Sequence, residues 1–297
     1  MQQFIHFTSI DLSLGYQKAQ FCLVNQTKPN QEIKTDMKNL LLITSLSVLA
    51  FSSCKKDNNE KKEEKIFKSE VQSFQHGKAW TWYEEDESKN PVRIAIAFDD
   101  VAFASLDTAA PGSPGHHHAN SLSLKYHPKA SAATPFTHAL LDWNPKGHEP
   151  EPIYGKPHFD FHFYIQPEAE RVAIPLYEQD SLKFKNAPAP GYMPPTYINP
   201  GGGVPQMGAH WIDFTTPELN GQPFGQTFLM GSYEGKVTFW EPMITEKFMR
   251  DNQVFERAIP QPTKYQKAGW YPTKMRIEKK GGVNSVILEG FVNRQPS

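Results

Sequence analysis

The amino-acid sequence predicts a mainly β fold, a sandwich or a barrel, with one or two short helices and long loops rich in proline and glycine. Three observations lead to it. Short runs of alternating or β-branched and aromatic residues recur between turn residues. The 25 prolines and 19 glycines among 297 residues leave few stretches long enough for a helix. Two segments also read as hairpins closed by adjacent turn residues.

The strands are expected at "VRIAIAFDDVAF" from Val92, "NSLSLKYH" from Asn120, "THALLDW" from Thr137 and "HFDFHFYI" from His158. "QTFLMGSYEGKVTFWEPM" holds two strand-like runs around Glu234 and Gly235, and "TKMRIEKKGGVNSVILEGFV" repeats the pattern around Gly281 and Gly282. Helix periodicity is confined to "ITEKFMRDNQVFER", with Thr245 as its N-cap, and to the shorter "PEAERV". From Pro188 to Gly225 the chain is crowded with proline and glycine, a long loop system of the kind that often carries function. Aromatic residues make up 12% of the chain and supply enough buried area for a core despite a hydrophobic content of only 38%.

Composition excludes several functions. The formal charge is -1, with no surplus of Lys and Arg to neutralise a phosphate backbone, so nucleic acid is not an expected partner. The two cysteines, Cys22 and Cys54, both precede the globular-looking part, which removes a disulfide framework and a thiolate zinc site together.

The chain ahead of residue 66 reads as a leader and a tether. From Met37, "MKNLLLITSLSVLAFSSC" has one Lys, an apolar run from Leu40 to Phe51, two small residues and a cysteine. The run is too short to span a bilayer and has the layout of a secretory signal. Ser52, Ser53 and Cys54 resemble the processing site of bacterial lipoproteins, although Phe51 is bulkier than the usual Leu. That resemblance implies a signal peptide over 37–53 and a lipid on Cys54 that anchors the protein to a membrane of the cell envelope. Lys55, rather than Asp, after the cysteine is compatible with onward sorting to an outer membrane or the cell surface. Residues 1–36 then read as a misassigned upstream extension, and 54–65, "CKKDNNEKKEEK", as a charged flexible tether. The folded domain is expected over 66–297.

The chemistry concentrates in "HFDFHFY". Successive side chains of a strand point to opposite faces, so His158, Asp160 and His162 share one face and Phe159, Phe161 and Phe163 the other. Residues two apart lie about 6.7 Å from each other, so His158 with Asp160, or Asp160 with His162, can be co-ligands of one ion, whereas all three need a bulge. Further ligands must come from elsewhere. His148 and Glu149 lie in "WNPKGHEP", His210 and Asp213 in "GAHWID", and Glu241 in "KVTFWEPM", where burial of its charge would require a cation. Imidazoles and carboxylates without thiols suit a divalent transition metal such as Zn, Fe or Mn. Glu149 or Glu241 is the candidate general base of a metal-dependent envelope hydrolase.

Structural roles compete with this assignment. His210 can pack on Trp211, Glu241 can cap the following helix or pair with Lys247, and "HHH" at 116–118 reads as a solvated loop. His158, Asp160 and His210 also follow the order of the two-histidine, one-carboxylate iron oxygenases. However, "WIDFTTPELN" after His210 has no basic residue to hold 2-oxoglutarate. The alternative from a different class is a non-catalytic envelope module that binds a small ligand or forms a homo-oligomer, its histidines being structural.

"WNPKGHEP", "PHFDFHFY", "VPQMGAHWIDF" and "GSYEGKVTFWEPMIT" in this order resemble a family of bacterial exported proteins known mainly as a domain of unknown function, over about residues 90–250. The resemblance implies a β-rich domain outside the cytoplasm and supplies no activity.

Overall fold

The computed structural model describes residues 65–108 and 120–297. The proposed leader, Cys54, the tether as far as residue 64 and the "HHH" run lie outside the described residues.

The fold is mainly β, built from two seven-stranded antiparallel sheets with no closed barrel. One sheet is made from the two ends of the described chain: β1 (Lys65–Lys68), β2 (Gln72–Phe74), β3 (Gly77–Glu85), β4 (Pro91–Asp99), β12 (Val254–Ala258), β14 (Lys274–Lys280) and β15 (Val283–Glu289). Its order is β1-β3-β4-β15-β14-β12, with β2 also on β3. The other comes from the middle: β5 (Ser121–Lys125), β6 (His138–Asn144), β7 (His158–Tyr164), β8 (Tyr197–Ile198), β9 (Ala209–Asp213), β10 (Gln226–Tyr233) and β11 (Lys236–Thr245), in the order β5-β6-β7-β11-β10-β9-β8. β13 (Gly269–Tyr271) and β16 (Val292–Arg294) form a separate pair.

The two sheets pack face to face through aromatic rings. Phe98 of β4 stacks on Phe159 and Phe161 of β7, with ring centroids 5.1 and 6.3 Å apart. Phe163 meets Phe136 edge-on at 5.7 Å. The phenylalanine face of "HFDFHFY" therefore lies in the core between the sheets, as its alternation predicts. At one margin the sheets are tied by the Thr81 hydroxyl, which donates to the Lys125 carbonyl at 2.7 Å.

Both expected hairpins form. β10 and β11 are joined by Glu234 and Gly235, both at positive φ (52° and 77°), the left-handed pair that matches the twist of two strands. β14 and β15 are joined by Gly281 and Gly282 in the same manner.

Helices are more numerous than expected. Six are present among the described residues, each only four to six residues long: α1 (Asp100–Ala104), α2 (Pro128–Ala133), α3 (Glu151–Tyr154), α4 (Glu168–Val172), α5 (Ser181–Lys185) and α6 (Glu246–Asp251). Elements this short span too few turns to show a 3.6-residue period, and only α4 and α6 match the sequence reading. Thr245 caps α6 as expected, accepting from the Phe248 amide, but the helix stops at Asp251. "VFERA" then runs on as β12, where alternating burial along the edge of the first sheet overrides the helical spacing.

The second face of the middle sheet is covered as well. The long connections between β6 and β10 fold over it and bury Leu140, Tyr164, Met207 and Phe239 in one cluster and Tyr154, Phe224, Leu229 and Met243 in another. Gly231 of β10 allows Phe239 to lie flat on this face, because a Cβ there would come within 2.0 Å of the ring. Gly231→Val should therefore lower the unfolding free energy by about 1–3 kcal/mol through overpacking, read as a lower urea midpoint with an unchanged slope.

Candidate metal centre

β7 is an interior strand of its sheet, between β6 and β11, and directs His158, Asp160 and His162 into the layer beneath the covering loops. All three are buried there. The face read from the sequence as polar is also excluded from water.

The candidate ligands converge, and they do so as two separate groups. His148, His158 and Asp160 form the first; His162, His210 and Glu241 form the second. Within each, one ligand atom per residue lies within 4.8 Å of the others. No bulge is needed, since the strand divides its three polar residues between two sites.

In the first triad His148 is delivered by the turn that follows β6. Gly147 adopts φ 70°, and its missing side chain leaves room for the Tyr154 carbonyl, 2.0 Å from where a Cβ would stand. The His148 amide donates to that carbonyl at 3.2 Å, which folds the turn back over β7. The His148 and His158 rings then meet edge-on at 4.6 Å. His148 Nε2 lies 3.5 Å from Asp160 Oδ2, and His158 Nε2 lies 3.2 Å from Asp160 Oδ1. Each imidazole is oriented through its other nitrogen: His158 Nδ1 by the Lys156 carbonyl at 2.7 Å, His148 Nδ1 by the Glu149 carbonyl at 2.8 Å. Donation from Nδ1 leaves the lone pair on Nε2, the form that binds metal. Asn144 donates to Asp160 Oδ2 at 2.8 Å and holds the carboxylate.

The second triad spans three strands. His162 Nε2 lies 3.4 Å from Glu241 Oε1 of β11, and His210 Nε2 of β9 lies 3.6 Å from Glu241 Oε2. Phe239 supports both imidazoles, at 4.9 and 5.0 Å from their centroids. On the far side His162 Nδ1 faces Asp142 Oδ2 at 3.2 Å, and Asp142 in turn accepts from the Ser121 hydroxyl.

Whether these residues suit a metal is decided by their unmet polar atoms. His158 Nε2, Asp160 Oδ1, both ring nitrogens of His162 and Glu241 Oε2 are buried and have no hydrogen-bond partner among the described residues. The short approaches to them fall outside hydrogen-bond geometry, and within each triad the ligand atoms lie within 4.8 Å of one another. His138, on the same face, offers the contrast. Its Nε2 accepts from Arg171 at 3.0 Å, and its Nδ1 contacts the Thr137 hydroxyl at 3.0 Å. That histidine is satisfied within the protein, and burial with the Arg171 charge lowers its pKa to about 4, keeping it neutral. A buried polar atom without a partner is costly, and a divalent cation in each triad would satisfy those that face it, His162 Nδ1 lying instead on the Asp142 side. Two imidazoles and one carboxylate at each centre are a donor set for a divalent transition metal.

Burial and neighbouring charge act against each other in both triads. Burial pulls the His162 imidazole down, but Glu241 and Asp142 outweigh it and raise its pKa to about 9. Burial pushes the Glu241 carboxyl up to about 8 against the pull of His162. Burial also opposes ionisation of Asp160, yet His158 and His148 hold it well below the usual carboxylate range. Each carboxylate here depends on a positive charge beside it.

Several sequence assignments are redrawn. His210 joins His162 and Glu241, not His158 and Asp160, so the iron-oxygenase order does not correspond to a shared centre; two neighbouring strands separate β9 from β7. The Glu149 carboxylate is exposed just ahead of α3, accepting from the Glu151 amide at 3.1 Å, and it is the Glu149 carbonyl that contacts the His148 ring. Glu241 is buried among the ligand atoms. It neither caps α6, which Thr245 does, nor pairs with Lys247, which reaches Asp251 at 2.7 Å. Asp213 closes its own turn by accepting from Thr215. Trp211 points to the opposite face and donates to Ser232. Asp142 and Asn144 were not singled out. They were readable from "THALLDWN", since His138, Leu140, Asp142 and Asn144 alternate on one face of β6, and register sets Asp142 opposite Asp160 and Asn144 opposite His158.

No family model, curated protein or solved structure matches the chain. The site is therefore defined by its own geometry.

Adding Zn²⁺ at about a hundred times its dissociation constant should stabilise the wild-type protein by about 2.7 kcal/mol per occupied site. Glu241→Gln, which keeps the shape and removes the anionic ligand, should show a smaller gain in thermal unfolding. An equal gain in both proteins would remove Glu241 from the ligand set.

Proposed function

We propose that this chain is an exported lipoprotein of the cell envelope, anchored through Cys54, that acts as a metal-dependent hydrolase. The observation that supports it most is the convergence of His162, His210 and Glu241, a three-ligand set in which His210 keeps 18% of its side chain exposed while the other two are buried. A centre closed by four protein ligands is structural, whereas three ligands and an approach from solvent leave a position for substrate or water.

In this reading His162, His210 and Glu241 hold a Zn, Fe or Mn ion. A divalent ion so held supplies Lewis acidity and activates water at neutral pH. Asp142, 3.2 Å from His162 Nδ1, supports positive charge on the ring. Tyr164 stacks on His162 at 5.5 Å with its hydroxyl buried and unpartnered, and burial holds that hydroxyl protonated, available to donate to an oxygen of the substrate. Glu241 acts as ligand, and the covering loops exclude bulk water.

Protein purified without chelators should carry stoichiometric transition metal by elemental analysis. His162→Ala and His210→Ala should each lower the metal content and abolish hydrolysis across a panel of model esters and phosphoesters. Metal-free wild-type protein would reject the proposal. Metal without any hydrolysis would favour the non-catalytic binding module. Separately, Cys54→Ala should move the protein from the membrane fraction to the soluble fraction, and an unchanged distribution would reject the lipid anchor.

A further inference from the structure

We propose that the two triads hold two ions with different duties. The first, at His148, His158 and Asp160, is a slowly exchanging structural ion that clamps the β6–β7 connection onto the sheet. The second, at His162, His210 and Glu241, is the exchangeable ion of the reactive centre. This deepens the metal-dependent reading above and rests on it.

Two independent sites follow from the strand geometry. The triads share no residue. On β7 the first uses positions 158 and 160 and the second position 162, so their centres are offset along the strand by more than one residue pair, about 7 Å. That exceeds the roughly 3.5–4 Å of a pair bridged by a common ligand. Each site therefore loads separately.

The surroundings of the two triads differ. Every ligand of the first has its outer atom held within the protein: His148 by the Glu149 carbonyl, His158 by the Lys156 carbonyl and Asp160 by Asn144. Two of those holding groups and one ligand belong to the 145–157 connection itself. An ion joining His148 to His158 and Asp160 would thus close this segment into a loop with both ends fixed, acting as a cross-link does by restricting the chain's alternatives. The ligands are also nearly inaccessible, with 9% of the His148 side chain exposed and less of the other two. In the second triad His210 is twice as exposed and stands on β9, whose outer neighbour β8 has only two residues. Ligand exchange and substrate approach are favoured there.

The full chain, purified and detergent-solubilised, tests this with Zn²⁺ as the only metal. After loading and removal of free ion, release to a chromophoric chelator should show two equivalents in two phases, one fast and one slow. His210→Ala should lose the fast phase alone and leave residues 145–157 as resistant to protease as in the wild type. Asp160→Asn and His148→Ala should each lose the slow phase and open 145–157 to cleavage and amide exchange. His148→Ala, in a surface turn, covers the case in which Asp160→Asn fails to fold. Asn144→Ala should weaken the slow site alone by about 10- to 100-fold. A single equivalent, two equivalents released together, or an unchanged 145–157 segment in both first-triad variants would overturn the division of roles and leave the metal-dependent reading standing. No bound Zn²⁺ in any protein would overturn the metal-dependent reading itself.

Discussion

Excluding water from a row of imidazoles and carboxylates is the constraint on which this structure depends. Ionised side chains are rarely buried without partners, because the loss of hydration outweighs most contacts a protein can offer in return. Here His158, Asp160 and His162 are buried together at the centre of a sheet, with Asp142 and Glu241 on the strands to either side. Loops rather than a third sheet cover them, and His148 comes in from the β6–β7 connection while His210 reaches across from β9.

The opposite face of the same strand makes this arrangement possible. Phe159, Phe161 and Phe163 pack against the partner sheet and fix β7 at high density, so the backbone beneath the ligands has little freedom to adjust. Imidazoles on a strand locked in this way keep their directions, and each needs only one further contact at Nδ1 to set its tautomer. Phe239, lying over Gly231, braces His162 and His210 from the side. The aromatic core and the polar layer are two sides of one element, and disturbance of either reaches the other.

Much of this was legible in the sequence, for identifiable reasons. Alternation in "HFDFHFY" assigns both faces of β7, the turn pairs Glu234-Gly235 and Gly281-Gly282 mark both hairpins, and the buried position of Glu241 follows from its place between Phe239 and Met243. How the ligands divide was not legible. Whether His210 meets His158 or His162 depends on the order β7-β11-β10-β9, a set of long-range pairings that local pattern does not encode. Asp142 escaped notice because "THALLDW" reads as mostly apolar, and its significance appears only once register sets it across from β7. The short helices escaped because four to six residues carry no measurable period.

The period of two along β7 has a further consequence. Displacing this strand by one residue against β6 and β11 would turn three phenyl rings outward among Asp142 and Glu241 and drive two imidazoles and a carboxylate into the aromatic interior. Both faces would fail at once, so misaligned pairings are penalised from two sides. The strand serves as a ruler for the six others that extend its sheet, and its strict polar-apolar sequence guards the accuracy of assembly as well as the chemistry it presents.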